Sequence, residues 1–195
     1  MSNINIPILM YHSIESMPKT TVMRSLHVSP GRFEFQMLML KILGYRGLSL
    51  RKLKPYMDGD KHGKVVGITF DDGYQNNLIN AAPVLRKYNF SATCYIVSES
   101  IGSSNTWDLD LKITQRPLMT NSEIFEWLNL GMDIGAHSKT HVDLTSVSEK
   151  KVLEEIKGCK ADLEEIFKVS ISDFCYPFGR FNDLTCAIAK NAGYL

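Results

Sequence analysis

An α/β fold of successive β/α units is the class that this sequence predicts, on three observations. Short apolar runs alternate with amphipathic stretches from one end of the chain to the other. No repeat, low-complexity tract or Pro/Gly-rich linker divides them, so the 195 residues read as a single domain, residues 1–195, large enough to bury a core without disulfides or structural metal. Ligating side chains stand at the C-terminal ends of several apolar runs, the end at which parallel β/α architectures hold ligands.

Ile6 to Tyr11 is too short for a helix and ends in His12, so it reads as a buried strand. Ser29 and Pro30 supply a cap and a first turn, Phe33, Met37, Leu40 and Leu43 keep helical spacing, and Gly44 stops the helix. Ser49 caps a shorter helix reaching Met57. Asp58-Gly59-Asp60 then turns the chain into a second buried strand, Val65 to Phe70, followed at once by Asp71 and Asp72. A helix over Leu78 to Tyr88 accommodates Pro83 as a kink or a new first turn, and Ala92 to Val97 is a third strand. Glu99 to Pro117 is irregular. Asn121 caps a helix to Leu130 that Gly131 stops, and Met132 to Ala136 is a strand delivering His137, with His141 in the loop beyond. The longest helix begins at Ser148. Val152, Ile156, Cys159, Leu163 and Phe167 form its apolar stripe, with Glu154, Glu155 and Lys157 toward water. Ser172 to Tyr176 is a further strand running into Pro177-Phe178-Gly179, Asn182 caps a last helix ending at Gly193, and Tyr194-Leu195 opens another strand.

Composition excludes two classes of function. With 22 Lys plus Arg against 21 Asp plus Glu, the net charge of +1 lacks the basic excess that grips phosphate backbones, so nucleic acid is not the expected partner. No run approaches the roughly 18 consecutive apolar residues of a transmembrane segment. Met1 to Pro7 has no basic residue ahead of an apolar stretch and no small-residue cleavage site, so no secretion signal is visible and a cytoplasmic location is favoured. Cys94, Cys159, Cys175 and Cys186 form no CxxC pair and lie in apolar patterned segments, which reads as four buried thiols.

The chemistry-bearing residues cluster in two motifs. Thr69-Phe70-Asp71-Asp72-Gly73 sets two adjacent acids directly after a strand. A divalent cation gives such like charges a reason to be adjacent: one carboxylate ligates while the other works as a base, although an Asx turn is the plain alternative. His137 and His141 are four apart, but Ser138 follows the first and the pair begins at a strand end, unlike the mid-helix pair of zinc proteases. Two His and one Asp leave a coordination position for water, the pattern of catalytic zinc, and the same donors suit ferrous iron.

TFDDG at Thr69 to Gly73, HSKTH at His137 to His141 and FCYPFG at Phe174 to Gly179 together resemble the NodB-homology polysaccharide deacetylases, family four of the carbohydrate esterases. IPILMYHSI near the start, SPGRFEFQM followed by GYRGLSL, and NAGY near the end resemble the branch that deacetylates poly-N-acetylglucosamine. The resemblance implies a distorted (β/α) barrel, incomplete at the C-terminus because relatives continue beyond the position of Leu195. It implies Asp71 as catalytic base and Asp72, His137 and His141 as ligands of a divalent metal, Zn2+ above all. A metal-bound water would attack an N-acetyl carbonyl, with the backbone N–H of Phe178 helping to hold the oxyanion. The family's general acid is a His closing a late strand; here Ile8-Leu9-Met10-Tyr11-His12 reproduces that pattern at the front of the chain, as in a permuted barrel, making His12 the candidate. Trp107 and Tyr176 are candidates for lining a sugar site. Many relatives have an Arg at the place of Cys175 that orients the base, and Arg180 is the candidate substitute. The implied substrate is an N-acetylated glycan or glycolipid; a non-sugar amide on the same scaffold, or a glycan-binding domain impaired in catalysis, are the alternatives.

Overall fold

The computed structural model describes residues 6–195; Met1 to Asn5, part of the stretch read above for a secretion signal, lie outside them. It is an α/β fold in which a parallel sheet is flanked by helices in a (β/α) barrel-like arrangement. In chain order the elements are β1 (Ile8–Tyr11), α1 (Pro30–Ile42), β2 (Arg46–Leu48), α2 (Leu50–Met57), β3 (Val65–Phe70), α3 (Ala82–Lys87), β4 (Thr93–Ile96), α4 (Asn121–Asn129), β5 (Asp133–Ala136), α5 (Glu149–Leu153), α6 (Cys159–Phe167) and α7 (Asp183–Asn191).

β3 organises the sheet. It pairs with β1 over Ile8↔Gly67 to Tyr11↔Phe70, with β2 through its first residues, and with β4 at Thr69↔Thr93 and Phe70↔Cys94. β4 pairs with β5 over Thr93↔Asp133 to Ile96↔Ala136. All pairs are parallel, so every described strand ends on the same side, and β3, β4 and β5 are buried along their whole length, as strands covered on both faces are. Helix and sheet join through aromatic packing. Phe70 lies 5.5 Å from Tyr11, 5.8 Å from Phe33 of α1 and 5.8 Å from Trp127 of α4. The Trp127 Nε1–H is satisfied by the Asp133 carbonyl at 2.9 Å.

Several sequence expectations are corrected. β1 starts at Ile8 and is open on one face, with Ile8 and Met10 exposed, so it is no buried strand. β2 was not foreseen: three residues containing Arg46 and Gly47 carry too little apolar pattern. The start of α4 is capped by Thr120, whose hydroxyl accepts from the Glu123 N–H while Glu123 accepts from the Thr120 N–H, a capping box one residue ahead of Asn121. Pro83 stands in the first turn of α3, as expected, but a π-helical turn, Asn77–Ala81, precedes it where a regular helix from Leu78 was expected. Ser172 to Tyr176 yields one parallel bridge, Ala136↔Phe174, and no strand. At the C-terminus Tyr194 is buried and donates to the Ile156 carbonyl, and the Leu195 N–H bonds the Ser172 carbonyl at 2.9 Å. The apolar stripe after Ser148 is buried as expected, but a π-helical turn, Glu154–Gly158, interrupts the helix and turns Glu155 inward to full burial. Cys94 and Cys159 are buried; Cys175 is half-buried and Cys186 exposed, so the four thiols do not share one environment. Among the described residues, no helix is long and apolar enough to cross a membrane.

Candidate metal and catalytic site

Three strand ends build the site. β1 ends one residue before His12. β3 runs into Asp71, whose N–H bonds the Tyr11 carbonyl at 2.9 Å, tying these two exits together. Asp72 and Gly73 then both take left-handed backbone, φ 70° and 76°, and this tight turn aims the adjacent carboxylates differently. Gly73 supplies such a φ freely; Asp72 holds it against the usual steric preference. β5 delivers His137, whose N–H bonds the Ile96 carbonyl at 2.9 Å, and the next residues return His141 to the same point.

Oδ1 of Asp72 lies 3.4 Å from Nε2 of His137 and 3.3 Å from Nε2 of His141. One ligand atom from each of the three residues lies within 4.8 Å of the others, and all three side chains are buried. Nδ1 of His137 lies 2.8 Å from the Cys175 carbonyl. A carbonyl only accepts, so Nδ1 carries the proton and Nε2 is the nitrogen turned to Asp72, as a metal-ligating imidazole requires. Among the described residues, buried Asp72 Oδ1 and His141 Nδ1 have no hydrogen-bond partner, an expensive state for polar atoms away from water. An orphaned carboxylate oxygen facing two imidazole nitrogens is the donor set of a divalent cation, and the residues present fit one.

Electrostatics match this arrangement. Burial alone would raise the pKa of Asp72, but the two imidazoles beside it hold it far below the usual carboxylate range. Burial works against the charged form of His137, yet the Asp72 and Cys175 side chains raise its pKa well above the usual histidine range. His141 is lowered, chiefly by burial. Asp71 is raised, again chiefly by burial, with His137 and His12 opposing.

Asp71 faces the cluster from the other side. Its Oδ2 lies 3.9 Å from Nε2 of His12 and accepts from the Cys175 thiol at 3.6 Å, while buried Oδ1 has no partner among the described residues. Arg180 is not the group beside it: its guanidinium pairs with Asp143 at the surface. Asp71, His137 and Cys175 also bring ligand-type atoms within 4.8 Å of one another.

His12, Asp71, Asp72, His137 and His141 all line one cavity of about 410 Å3, together with Trp107, Tyr176 and Phe178. That volume lies in the range of small-molecule sites. Trp107 stacks on the His141 ring at 4.4 Å and Phe178 meets its edge at 4.7 Å, so two aromatic walls also brace this imidazole. Phe178 holds φ 57° in the turn Pro177–Gly179 and its ring is exposed at the cavity mouth. Tyr11 points the opposite way into the core, where its hydroxyl bonds Gln36, as alternation along a strand demands. Tyr176 escapes that alternation because its segment is no strand.

Two residues near the site, one of them in the cavity wall, escaped the sequence reading. Asp108 is buried in the cavity wall, accepting from Asn105 Nδ2 at 2.8 Å; its only sequence signal was adjacency to Trp107. Tyr74 is buried next to Asp72, and burial followed by that carboxylate pushes its phenol pKa up.

A His/His/Asp cluster beside a second carboxylate, at the strand ends of a parallel α/β scaffold, is a site of the metal-dependent hydrolase kind. The chain belongs to the polysaccharide deacetylase family: the family model "Polysaccharide deacetylase" matches residues 58–195. It is 32% identical over 191 residues to YxkH of Bacillus subtilis, covering 97% of this chain and 62% of that protein. It is 31% identical over 170 residues to a poly-beta-1,6-N-acetyl-D-glucosamine N-deacetylase of Staphylococcus aureus, covering 85% of this chain and 58% of that protein. The chain thus spans about three fifths of the length of these curated relatives. Among solved structures it is similar to the Streptococcus pyogenes deacetylase PplD in complex with acetate, with TM-score 0.84 and 28% identity over 99% of this chain and 82% of that one. It is also similar to the polysaccharide deacetylase BC0361 of Bacillus cereus, with TM-score 0.80 and 31% identity over 97% and 56% of the two chains.

Proposed function

We propose that this chain hydrolyses the N-acetyl group of an amino-sugar glycan of the N-acetylglucosamine type, releasing acetate and a free amine. The observation that carries the reading is the convergence, in one cavity, of the Asp72, His137 and His141 ligand atoms with Asp71 and His12 beside them. The Staphylococcus relatives named for poly-beta-1,6-N-acetyl-D-glucosamine support an amino-sugar substrate, and the PplD structure in complex with acetate supports amide deacylation.

Asp72, His137 and His141 would hold a divalent cation, Zn2+ being the ion that this donor set suits. Bound there, such a cation supplies a Lewis acid that polarises the acetyl carbonyl and acidifies water. Asp71 takes the proton of the attacking water, its Oδ2 accepting from the thiol of Cys175, the position at which many relatives have an Arg. His12, next to Asp71 and partly open to the cavity, gives a proton to the departing sugar amine. The Phe178 backbone N–H stands with the oxyanion, and Trp107 and Tyr176 flank the sugar ring. The test is acetate release from N-acetylglucosamine oligomers by metal-depleted protein before and after addition of Zn2+. Metal-dependent release is the expected result; oligomer binding without any acetate would replace this reading with a glycan-binding one.

A further inference from the structure

The loop between the two histidines is unusual backbone. Ser138 and His141 both hold left-handed φ, 63° and 60°, a conformation that non-glycine residues keep only where their surroundings impose it. The imposed bonds are identifiable. The Ser138 and Lys139 carbonyls accept from the Ser98 and Glu99 N–H groups at the exit of β4, at 3.2 and 2.9 Å. The His141 N–H turns back to Ser138 Oγ at 2.9 Å. The two central N–H groups go elsewhere: Lys139 at 2.8 Å and Thr140 at 2.9 Å both donate to Oε2 of Glu155, while the Thr140 hydroxyl donates to Oε1 at 2.6 Å.

Glu155 is fully buried, lies outside the cavity lining, and is paired with Lys151 at 3.0 Å. It sits in the π-helical turn Glu154–Gly158, where the widened backbone places Glu155 and Ile156 side by side on the buried side. A π turn is a recurrent device for re-aiming a side chain at a functional position. We infer that Glu155 is a positioning residue: by clamping Lys139 and Thr140 it holds His137 and His141 at the spacing that a single cation needs. This rests on the ligand assignment proposed above.

The test reads metal affinity, using Zn2+ by chelator competition and the visible absorption of bound Co2+ as a report on ligand geometry. In E155Q one carboxylate oxygen becomes an amide donor, set against either the Lys139 and Thr140 N–H groups or the Lys151 ammonium and Thr140 hydroxyl. We expect Zn2+ affinity to fall about 10- to 100-fold, the range for removing a group that orients metal ligands, with an altered Co2+ spectrum. Val152→Ala, in the same helical stretch but at a side chain that makes none of the clamp's hydrogen bonds, is expected to lower thermal stability while leaving affinity and spectrum unchanged. Thr140→Val removes one clamp bond and keeps the carboxylate, so a several-fold loss is expected even where E155Q does not fold. Wild-type affinity in E155Q or T140V alongside loss in H141A overturns the clamp alone, as does an equal loss in V152A. Wild-type affinity in H141A overturns the ligand assignment, and the clamp with it.

Discussion

At the scale of single residues, the proposed function gives two adjacent carboxylates different work, and their surroundings differ accordingly. Asp72 lies against two imidazoles and is held ionised; Asp71 meets a thiol and the more open His12. Asp71→Asn should therefore retain Zn2+ while turnover drops by about 10²- to 10⁴-fold, the usual worth of a positioned base; full turnover in this variant, measured by acetate release, would remove Asp71 from the role. His12→Ala should also retain the metal and slow release of the amine. Proton bookkeeping gives a further expectation. Burial opposes the charged form of His137, but the Asp72 and Cys175 side chains raise its pKa, so in the metal-free protein a proton competes with a cation for that imidazole. Zn2+ affinity should therefore weaken as pH falls, with proton release on binding read by calorimetry in buffers of different ionisation enthalpy. The same shifts fix the pH dependence of the metal-free fold. The raised His137 contributes stability below the ordinary histidine range that fades as pH rises through its higher folded value; the depressed Asp72 contributes stability above the carboxylate range that is lost on acidification. Urea midpoints of metal-free protein should thus be highest between those limits.

At the scale of elements, what was legible followed apolar pattern and what was not followed neighbours. β3 and β4 were readable because largely apolar runs bounded by turns have few alternatives. β2 was invisible because its three residues are a strand only by pairing with Val65 to Gly67. The segment at Ser172 to Tyr176 has a strand's composition, yet a single bridge to Ala136 is all its geometry allows. Glu155 was read as solvent-facing because a regular 3.6-residue period puts it off the apolar stripe; the π turn shifts that phase, and no residue type announces such a turn. Capping was read one residue late at α4, where Thr120 and Glu123 satisfy each other's N–H groups. Thr120→Ala should destabilise the fold by about 1 kcal/mol, seen as a Tm lower by about 2 to 4 °C for a chain of this size, with metal affinity unchanged; a Tm equal to wild type would mean that the box adds nothing to the tertiary contacts of α4.

At the scale of the whole molecule, the motifs were legible as chemistry but their meeting was not, since periodicity does not measure the distance from His12 to Asp71 or from Asp72 to His141. The parallel sheet closes those distances by ending every described strand on one side, and β4 between β3 and β5 sets the spacing of the two ligand-bearing exits. A cation held by Asp72, His137 and His141 would therefore cross-link the ends of β3 and β5, strands far apart in sequence, and would be bound only by the folded chain. Linkage then gives the size of the effect: at a free metal concentration of about 1,000 Kd the native state gains about 4 kcal/mol, which corresponds to a rise in Tm of about 8 to 16 °C. Calorimetry on metal-depleted protein, on the same protein with Zn2+, and again after chelation should show that rise and its reversal, and His141→Ala should abolish it. A Tm indifferent to Zn2+ in the wild-type chain would mean that the three side chains, although gathered, do not grip an ion, and the deacetylase reading built on them would fall with that result.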